Sequence, residues 1–178
     1  KFSGSFRYAV FDMYGYDVAD PQFETFDRSF DLKYRFNDEG TYIPAIAVGL
    51  RDFLGTGRFG SEYIVASKSV GSNLIVTGGL GWGRMGTKNG FANPLGAVSD
   101  YFDTRPVYED RTQQGEGGNG GTISVKQFFR GDAAVFGGLE YQISPKLGVK
   151  AEYSSIAYLE EPLTPAVDIA SPLNFGVT

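Results

Sequence analysis

The feature that most constrains the fold is an alternation of apolar and polar residues at 26–36, which reads FDRSFDLKYRF and is interrupted at Arg28 on the apolar parity. A period of two over this length predicts a β-strand, because successive side chains of a strand point to opposite faces. Alternation alone does not say which face meets water. The apolar set is Phe26, Phe30, Leu32, Tyr34 and Phe36, and the polar set is Asp27, Ser29, Asp31, Lys33 and Arg35.

Strand-like patterns recur along the whole chain, and helix-forming runs are scarce. Twenty-five glycines and an aromatic content of 15% are also typical of β-proteins. The sequence therefore predicts an all-β chain with eight strands. Besides 26–36, the predicted strands are residues 5–12, 42–53, 61–69, 73–83, 131–142, 146–157 and 173–178.

The connections between the predicted strands alternate between short and longer. In an antiparallel meander, alternate connections lie at the same end of the sheet, so all short turns fall at one rim. Outer-membrane barrels show this asymmetry, whereas a Greek-key sandwich gives no reason for it. The pattern predicts an antiparallel up-and-down transmembrane β-barrel, or part of one, with short periplasmic turns and long external loops. Residues 84–130 would be a long external loop or a plug.

Charge and composition exclude several function classes. The net charge is −5, so no basic field is available for nucleic acid. The chain has no histidine and no cysteine, which removes Ser-His and Cys-His nucleophile pairs and the usual zinc ligands. We predict no metal, no cofactor and no enzymatic activity. A hydrolase would have to use carboxylates, for which Glu140 and Glu152 on adjacent strands form the best pair.

The hairpin at 42–69 indicates which face carries the polar residues. One parity holds Ile46, Val48, Leu50, Tyr63 and Val65, and the other holds Ala45, Ala47, Gly49, Arg51, Glu62, Ala66 and Lys68. Charges mixed with very small residues suit a wet lumen better than a dry core, so the apolar parity is predicted to face lipid. The residues predicted to line the lumen are Asp31, Lys33, Arg35, Arg51, Glu62, Lys68, Glu140, Lys150 and Glu152.

Two interpretations of this lining remain open. The charges could hydrogen-bond the hydroxyl or acidic groups of a polysaccharide, or they could pair across strands and fill a narrow eight-stranded barrel. The long segment offers a second contact, because Tyr101, Phe102 and Tyr108 could stack on sugar rings. A solvated external loop is the alternative there.

Several blocks resemble one known family. GLRDFLGTGRFGSEYIVASK at 49–68, GLGWGRMG at 79–86, FFRGDAAVFGGLEYQ at 128–142 and LGVKAEYSS at 147–155 are similar to YjbH/GfcD-like exopolysaccharide biosynthesis proteins. The resemblance covers roughly residues 26–178. It implies a lipoprotein barrel of the Gram-negative outer membrane, encoded beside capsule or exopolysaccharide genes. Family members are much longer, so residues 1–178 are expected to be the N-terminal barrel portion of a longer chain.

The expected function is therefore guidance or binding of an extracellular polysaccharide during assembly or export. Outer-membrane lipid and other proteins of the exopolysaccharide system are the expected partners. One alternative is a barrel scaffold or adhesin that presents binding loops. Another is a carboxylate-dependent glycan-modifying enzyme of the outer membrane. A soluble β-rich surface protein is the third.

Overall fold

Eight strands form one antiparallel sheet in chain order. The structure, a computed structural model, describes residues 1–13, 23–54, 59–106, 125–158 and 171–178, with the side chains of 9–13 and 23–28 left aside. The all-β class and the meander order are confirmed for these residues. The strands are β1 (Phe2–Met13), β2 (Phe23–Asn37), β3 (Ala45–Arg51), β4 (Ser61–Val70), β5 (Leu74–Gly83), β6 (Ala134–Ser144), β7 (Leu147–Tyr153) and β8 (Leu173–Val177).

The sheet is open, with β1 and β8 as its edges over the described residues. A closed barrel is therefore not what this part of the chain forms by itself. Every neighbouring pair is antiparallel. One end of the sheet, the short-turn rim, carries the connections 38–44, 71–73 and 145–146. The other end, the long-loop rim, carries 14–22, 52–60, 84–133 and 154–172, so the predicted alternation of connections is confirmed.

Two strands are several residues shorter than predicted, for local reasons. β3 begins at Ala45 because Pro44 has no N–H to donate to a ladder, and the Pro44 carbonyl instead accepts from Asn37 Nδ2 at 2.7 Å. β7 ends at Tyr153 because the residues after it bond to the β5–β6 connection. The Lys88 amide donates to the Ser155 carbonyl at 2.9 Å, and Ser155 Oγ donates to the Met85 carbonyl at 2.5 Å.

One face of the sheet is apolar across all eight strands, and we call it the apolar face. The register joins Leu32 to Leu50, Val48 to Ile64, Val76 to Leu139 and Ala151 to Phe175 across it. Many of its large side chains are exposed, including Leu139 at 50% and Phe175 at 78%. Other exposed members are Phe2, Phe6, Phe30, Leu32, Ile64, Val76, Val135, Tyr141, Val149, Leu173 and Val177. Phe26 of the predicted apolar set lies outside the described side chains.

The opposite face, the polar face, combines charged residues with very small ones. Ala47 and Val65 are buried on it, and Gly49, Gly79 and Gly138 leave room for neighbouring side chains. The apolar residues thus lie on the more exposed side of the sheet, which is the reverse of the arrangement in a water-soluble core.

The main cluster of buried large side chains sits at the long-loop rim. Phe59, Trp82 and Met85 are buried there. Cation–π contacts connect neighbouring elements at this rim. Arg7 lies 5.5 Å from the centre of the Phe59 ring. Arg84 lies 4.8 Å from the centre of the same ring and 5.1 Å from that of the Tyr158 ring. The series of contacts links β1 to the connection that follows β7. No helix among the residues described is long and apolar enough to cross a membrane.

Candidate functional site

The polar face brings together seven of the nine predicted lining residues. The backbone register, followed strand by strand from β2 to β7, places their side chains on the same side of the sheet. They are Asp31, Lys33, Arg35, Arg51, Glu140, Lys150 and Glu152.

The prediction of which β4 side chains lie on each face of the sheet is wrong. Glu62 pairs with Leu50 and Ala66 pairs with Ile46, whereas Tyr63 pairs with Gly49 and Val65 pairs with Ala47. Directly opposed residues share a face, so Glu62, Ala66 and Lys68 lie on the apolar face, and Tyr63 and Val65 lie on the polar face. Three consecutive apolar residues, 63–65, made the parity of this strand ambiguous.

Glu62 is an anchor for the long connection, which explains a carboxylate on the apolar face. Its side chain is 2% exposed. Arg105 donates to it through Nη1 at 2.7 Å and through Nη2 at 3.0 Å, and the Phe129 amide donates to the same carboxylate at 2.9 Å. This bidentate geometry is the strong form of the arginine–carboxylate interaction. Glu62 therefore holds residues on both sides of 107–124 against the start of β4.

Asn93 and Trp82 complete this anchor. Trp82 Nε1 donates to Asn93 Oδ1 at 3.1 Å, and Asn93 Nδ2 donates to the carbonyls of Phe102 at 2.9 Å and Phe129 at 2.8 Å. The Trp82 and Phe129 rings meet edge to face at 5.2 Å. Asn93 and Arg105 were not predicted to have this role, because no pattern in the sequence indicates their contacts.

Lys68, the second charge on the apolar face, belongs to a clamp at the short-turn rim. Its ammonium donates to Glu39 Oε1 at 3.0 Å and to the Gly40 carbonyl at 2.5 Å. The Ser69 amide and hydroxyl donate to Glu39 at 2.9 and 3.0 Å. The Ser69 amide, followed by the Lys68 ammonium, holds the pKa of Glu39 below its ordinary value. Both charges among the described side chains of the apolar face thus lie at its rims and are bound to connections.

The remaining charges of β2 and β3 are partly engaged with their surroundings. Asp31 accepts from Ser5 Oγ at 3.2 Å and from the Asp52 amide at 3.0 Å. Arg35 pairs with Asp38 at 2.7 Å. The side chains of Lys33 and Arg51 are exposed.

The strongest candidate site is an open groove of about 360 Å³ on the polar face over β5, β6 and β7. It contains three of the predicted lining residues. Glu140 and Lys150 pair directly across the strands, and Lys150 Nζ lies 3.1 Å from Glu140 Oε2. Glu152 lies diagonally from Glu140 on the same face. The lining also includes Ile75, Thr77, Met85, Phe136, Gly138, Ser154, Ser155 and Ile156.

An aromatic pair stands beside this groove. The ring of Phe136 lies over Gly79, and that of Tyr63 lies over Gly49, where a Cβ would collide with the ring in each case. The two rings meet edge to face at 6.1 Å. The glycines therefore let bulky rings lie down on the polar face, and the Phe136 ring forms one wall of the groove.

Two of the predicted loop aromatics, Tyr101 and Phe102, contact each other. Tyr101 is half exposed, and its ring carries Arg130 at 4.1 Å and meets Phe102 edge to face at 5.4 Å. Phe102 accepts hydrogen bonds through its carbonyl. Tyr108 lies outside the described residues. Among the residues with described positions, no group of three or more acids is placed to hold a metal ion.

Fold and site together define a class of protein: an antiparallel meander sheet with one exposed apolar face and one polar face that bears a groove. Comparison with known proteins gives the family. The YjbH family model, described as exopolysaccharide biosynthesis protein YbjH, matches residues 1–178, and the chain belongs to this family.

A named relative shares much of the sequence. The chain is 41% identical over 136 residues to "Uncharacterized lipoprotein YjbH" of Escherichia coli (strain K12). The match covers 76% of this chain and 18% of that protein, so the chain spans a small part of the relative. No solved structure matches the chain.

Proposed function

We propose that the chain forms part of the wall of an outer-membrane β-barrel that takes part in exopolysaccharide assembly or export. The observation that carries the proposal is the exposure of large apolar side chains from β1 to β8 on one face, opposite a polar face. In barrels that span a bilayer, the side chains along each strand alternate in the same way, with apolar residues toward lipid and polar residues toward the interior.

The size of the apolar face argues for a continuous apolar environment. Monomeric soluble proteins rarely expose contiguous apolar patches larger than a few hundred Å², and burial is favourable by roughly 25 cal/mol per Å². A face that runs across eight strands and includes Phe6, Ile64, Leu139 and Phe175 would favour aggregation in water. Hydrocarbon is the environment that suits all of these positions at once.

The lengths of five of the eight strands and the positions of the two rims support this proposal, whereas β3, β7 and β8 have 7, 7 and 5 residues. A tilted strand needs about 9–11 residues to cross the hydrocarbon layer, and β1, β2, β4, β5 and β6 have 10 or more. Among the described side chains, the charges on the apolar face are Glu62 and Lys68, which lie at opposite rims and are bound by the connections there. Short turns would then lie on the periplasmic side and long connections outside.

The proposed partners follow from the two faces and the family. Outer-membrane lipid covers the apolar face, and extracellular polysaccharide meets the polar face without being cleaved. Other proteins of the exopolysaccharide system would contact the rims. Nucleic acid is not a proposed partner, because the net charge is −5. The name of the Escherichia coli relative, a lipoprotein, supports attachment to a membrane.

Single-cysteine labelling tests the orientation of the sheet. The sequence has no cysteine, so Leu139→Cys and Glu140→Cys place a nitrobenzoxadiazole label on opposite faces at adjacent residues. In vesicles, brominated lipid should quench the label at 139, and iodide in water should quench the label at 140. Equal iodide quenching at both positions would overturn the lipid-facing assignment.

We also propose that the long connection gates the path of the polymer, and loop replacement tests this claim. Gln127 Nε2 donates to the Pro106 carbonyl at 3.4 Å, so the two ends of 107–124 lie close together. A short glycine–serine linker can replace 107–124 while leaving the Glu62–Arg105 anchor intact. We expect altered polymer secretion with normal membrane assembly. Unchanged secretion by the assembled protein would remove the gating claim.

Substitutions in the groove separate the proposed function from its rivals. In a guide that does not cleave polymer, Glu140→Gln and Glu152→Gln should lower secretion without changing the lengths of the secreted chains. Loss of turnover of a purified polysaccharide by the same variants would instead establish the glycan-modifying enzyme. Full secretion after both substitutions together with Lys150→Met would favour the scaffold or adhesin.

A further inference from the structure

We propose that the groove over β5, β6 and β7 is a sugar-binding subsite that selects glycan units without an acidic group. This inference rests on the proposed function and names the ligand class of the polar face. Phe136, Glu140, Lys150 and Glu152 are the residues that determine the selection.

The groove has the size and the mixed lining of a small-molecule site. Its volume of about 360 Å³ falls within the range of roughly 300–1,000 Å³ that is typical of such sites. Phe136, Ile75 and Met85 supply apolar surface, while Thr77 and Ser154 supply hydroxyls. A pyranose ring has apolar C–H faces and polar edges, so it can use both kinds of surface together.

The Phe136 ring is fixed in place before a ligand arrives. It lies over Gly79 and packs edge to face against Tyr63 at 6.1 Å. A rigid aromatic surface binds with little loss of side-chain freedom. The ring can therefore serve as the wall against which a sugar face packs.

The charges of the groove disfavour acidic sugars. The ammonium of Lys150 is already paired with Glu140 at 3.1 Å. Glu152 has no hydrogen-bond or ion-pair partner in the part of the chain that the structure describes, and its side chain is exposed. A free carboxylate accepts hydrogen bonds and cannot donate them. It suits vicinal hydroxyls or the ammonium of an amino sugar, and it repels a uronate.

Direct binding measurements test the selection. The full protein in detergent micelles is titrated with cellotetraose, with the glucosamine tetramer and with tetragalacturonate. We expect binding of the neutral and amino-bearing tetramers and at least tenfold weaker binding of tetragalacturonate, which is roughly the effect of one charged contact. Glu152→Gln should remove most of this discrimination.

Matched variants identify the groove as the place of binding. Phe136→Ala should weaken cellotetraose binding roughly tenfold, and Phe136→Leu, which keeps apolar volume without the ring, guards against misfolding of the first variant. Lys146→Met, in the exposed β6–β7 turn and outside the groove, should leave binding unchanged.

Three results would overturn the inference: no binding of any of the three tetramers, tetragalacturonate binding as tightly as cellotetraose, or unchanged affinities in both the Glu152 and the Phe136 variants. The labelling at 139 and 140 is independent of these titrations. Absence of sugar binding together with correct lipid quenching would therefore refute the subsite and leave the barrel proposal standing.

Discussion

At the residue scale, Glu62 is a carboxylate that the fold buries almost completely while pairing it with Arg105. In the folded state, hydrogen bonds from Arg105 and from one backbone amide replace the water that would otherwise solvate the carboxylate. We therefore expect substitutions of Glu62 to be poorly tolerated. Removing one partner of such a pair leaves the other charge buried without compensation.

We predict that Glu62→Gln lowers the free energy of unfolding by roughly 3 kcal/mol, because a buried pair loses one of its charges. Urea unfolding followed by the fluorescence of Trp82, the single tryptophan in this sequence, measures the change. Arg35→Met at the exposed Arg35–Asp38 pair is the control and should have little effect. Equal unfolding midpoints for Glu62→Gln and the parent protein would contradict the anchoring role.

Gly49 gives a second prediction at this scale. A Cβ at residue 49 would enter the ring of Tyr63, whereas a Cβ at Gly78 would meet nothing within 4 Å. Gly49→Ala should therefore cost about 1–3 kcal/mol through overpacking, and Gly78→Ala should be nearly neutral. Combining Gly49→Ala with Tyr63→Leu should recover part of the loss. The same urea titration tests the set, and equal costs at 49 and 78 would contradict the packing argument.

At the element scale, the short-turn rim is held by Glu39, which joins the β2–β3 turn to the start of the β4–β5 turn. The pKa of Glu39 is lowered by the Ser69 amide and by Lys68. The pKa of Glu39 is lower in the folded state than its ordinary value of 4.5. The ionised carboxylate therefore stabilises the fold at pH values above 4.5. This contribution is lost as the pH falls through the folded-state pKa.

We predict that Glu39→Gln speeds amide hydrogen exchange at 68–73 near pH 6, because the variant lacks the charged acceptor of the Ser69 amide. Below its lowered folded-state pKa the parent carboxyl is itself protonated, so the exchange rates of parent and variant should converge as the pH falls through that pKa. Comparing the two proteins at the same pH removes the intrinsic pH dependence of exchange. A difference that persisted unchanged at acid pH would contradict the role of ionisation.

Sequence patterns predicted the strands well because the alternation is local. The two-residue period of 26–36 is visible within that segment alone, and the short turns predict the meander order. The facing of β4 could not be obtained in this way, since Tyr63, Ile64 and Val65 are all apolar and the pairing with β3 decides the parity. Glu62 and Arg105 meet across 43 residues, and Lys68 and Glu39 across 29, which are distances that periodicity does not reach.

The groove also contains some residues that the sequence predicted and some that it did not. Glu140, Lys150 and Glu152 were predictable as one set because β6 and β7 form a hairpin with a two-residue turn, 145–146. The Phe136 wall was not predictable, because its position depends on Gly79 of β5 and Tyr63 of β4. Hairpin neighbours are visible in a sequence, and contacts across three strands are not.

At the scale of the whole molecule, the environment of the apolar face decides what a charge on it costs. Leu139 lies in the middle of β6 and is half exposed, and Val70 is equally exposed but lies at the end of β4 beside the short-turn rim. In water, an exposed arginine at either place would cost little. In a bilayer, the cost depends on depth.

We predict that Leu139→Arg costs about 2–4 kcal/mol in lipid vesicles and that Val70→Arg costs about 0–1 kcal/mol, as for lipid-facing residues at the midplane and the interface of barrels. Urea-driven unfolding from vesicles measures both, with Leu139→Ala as the control for lost apolar area. If both arginine variants proved neutral, the apolar face would be in contact with water or with a polar partner. Depth dependence is the property that a soluble sheet with the same alternation would lack.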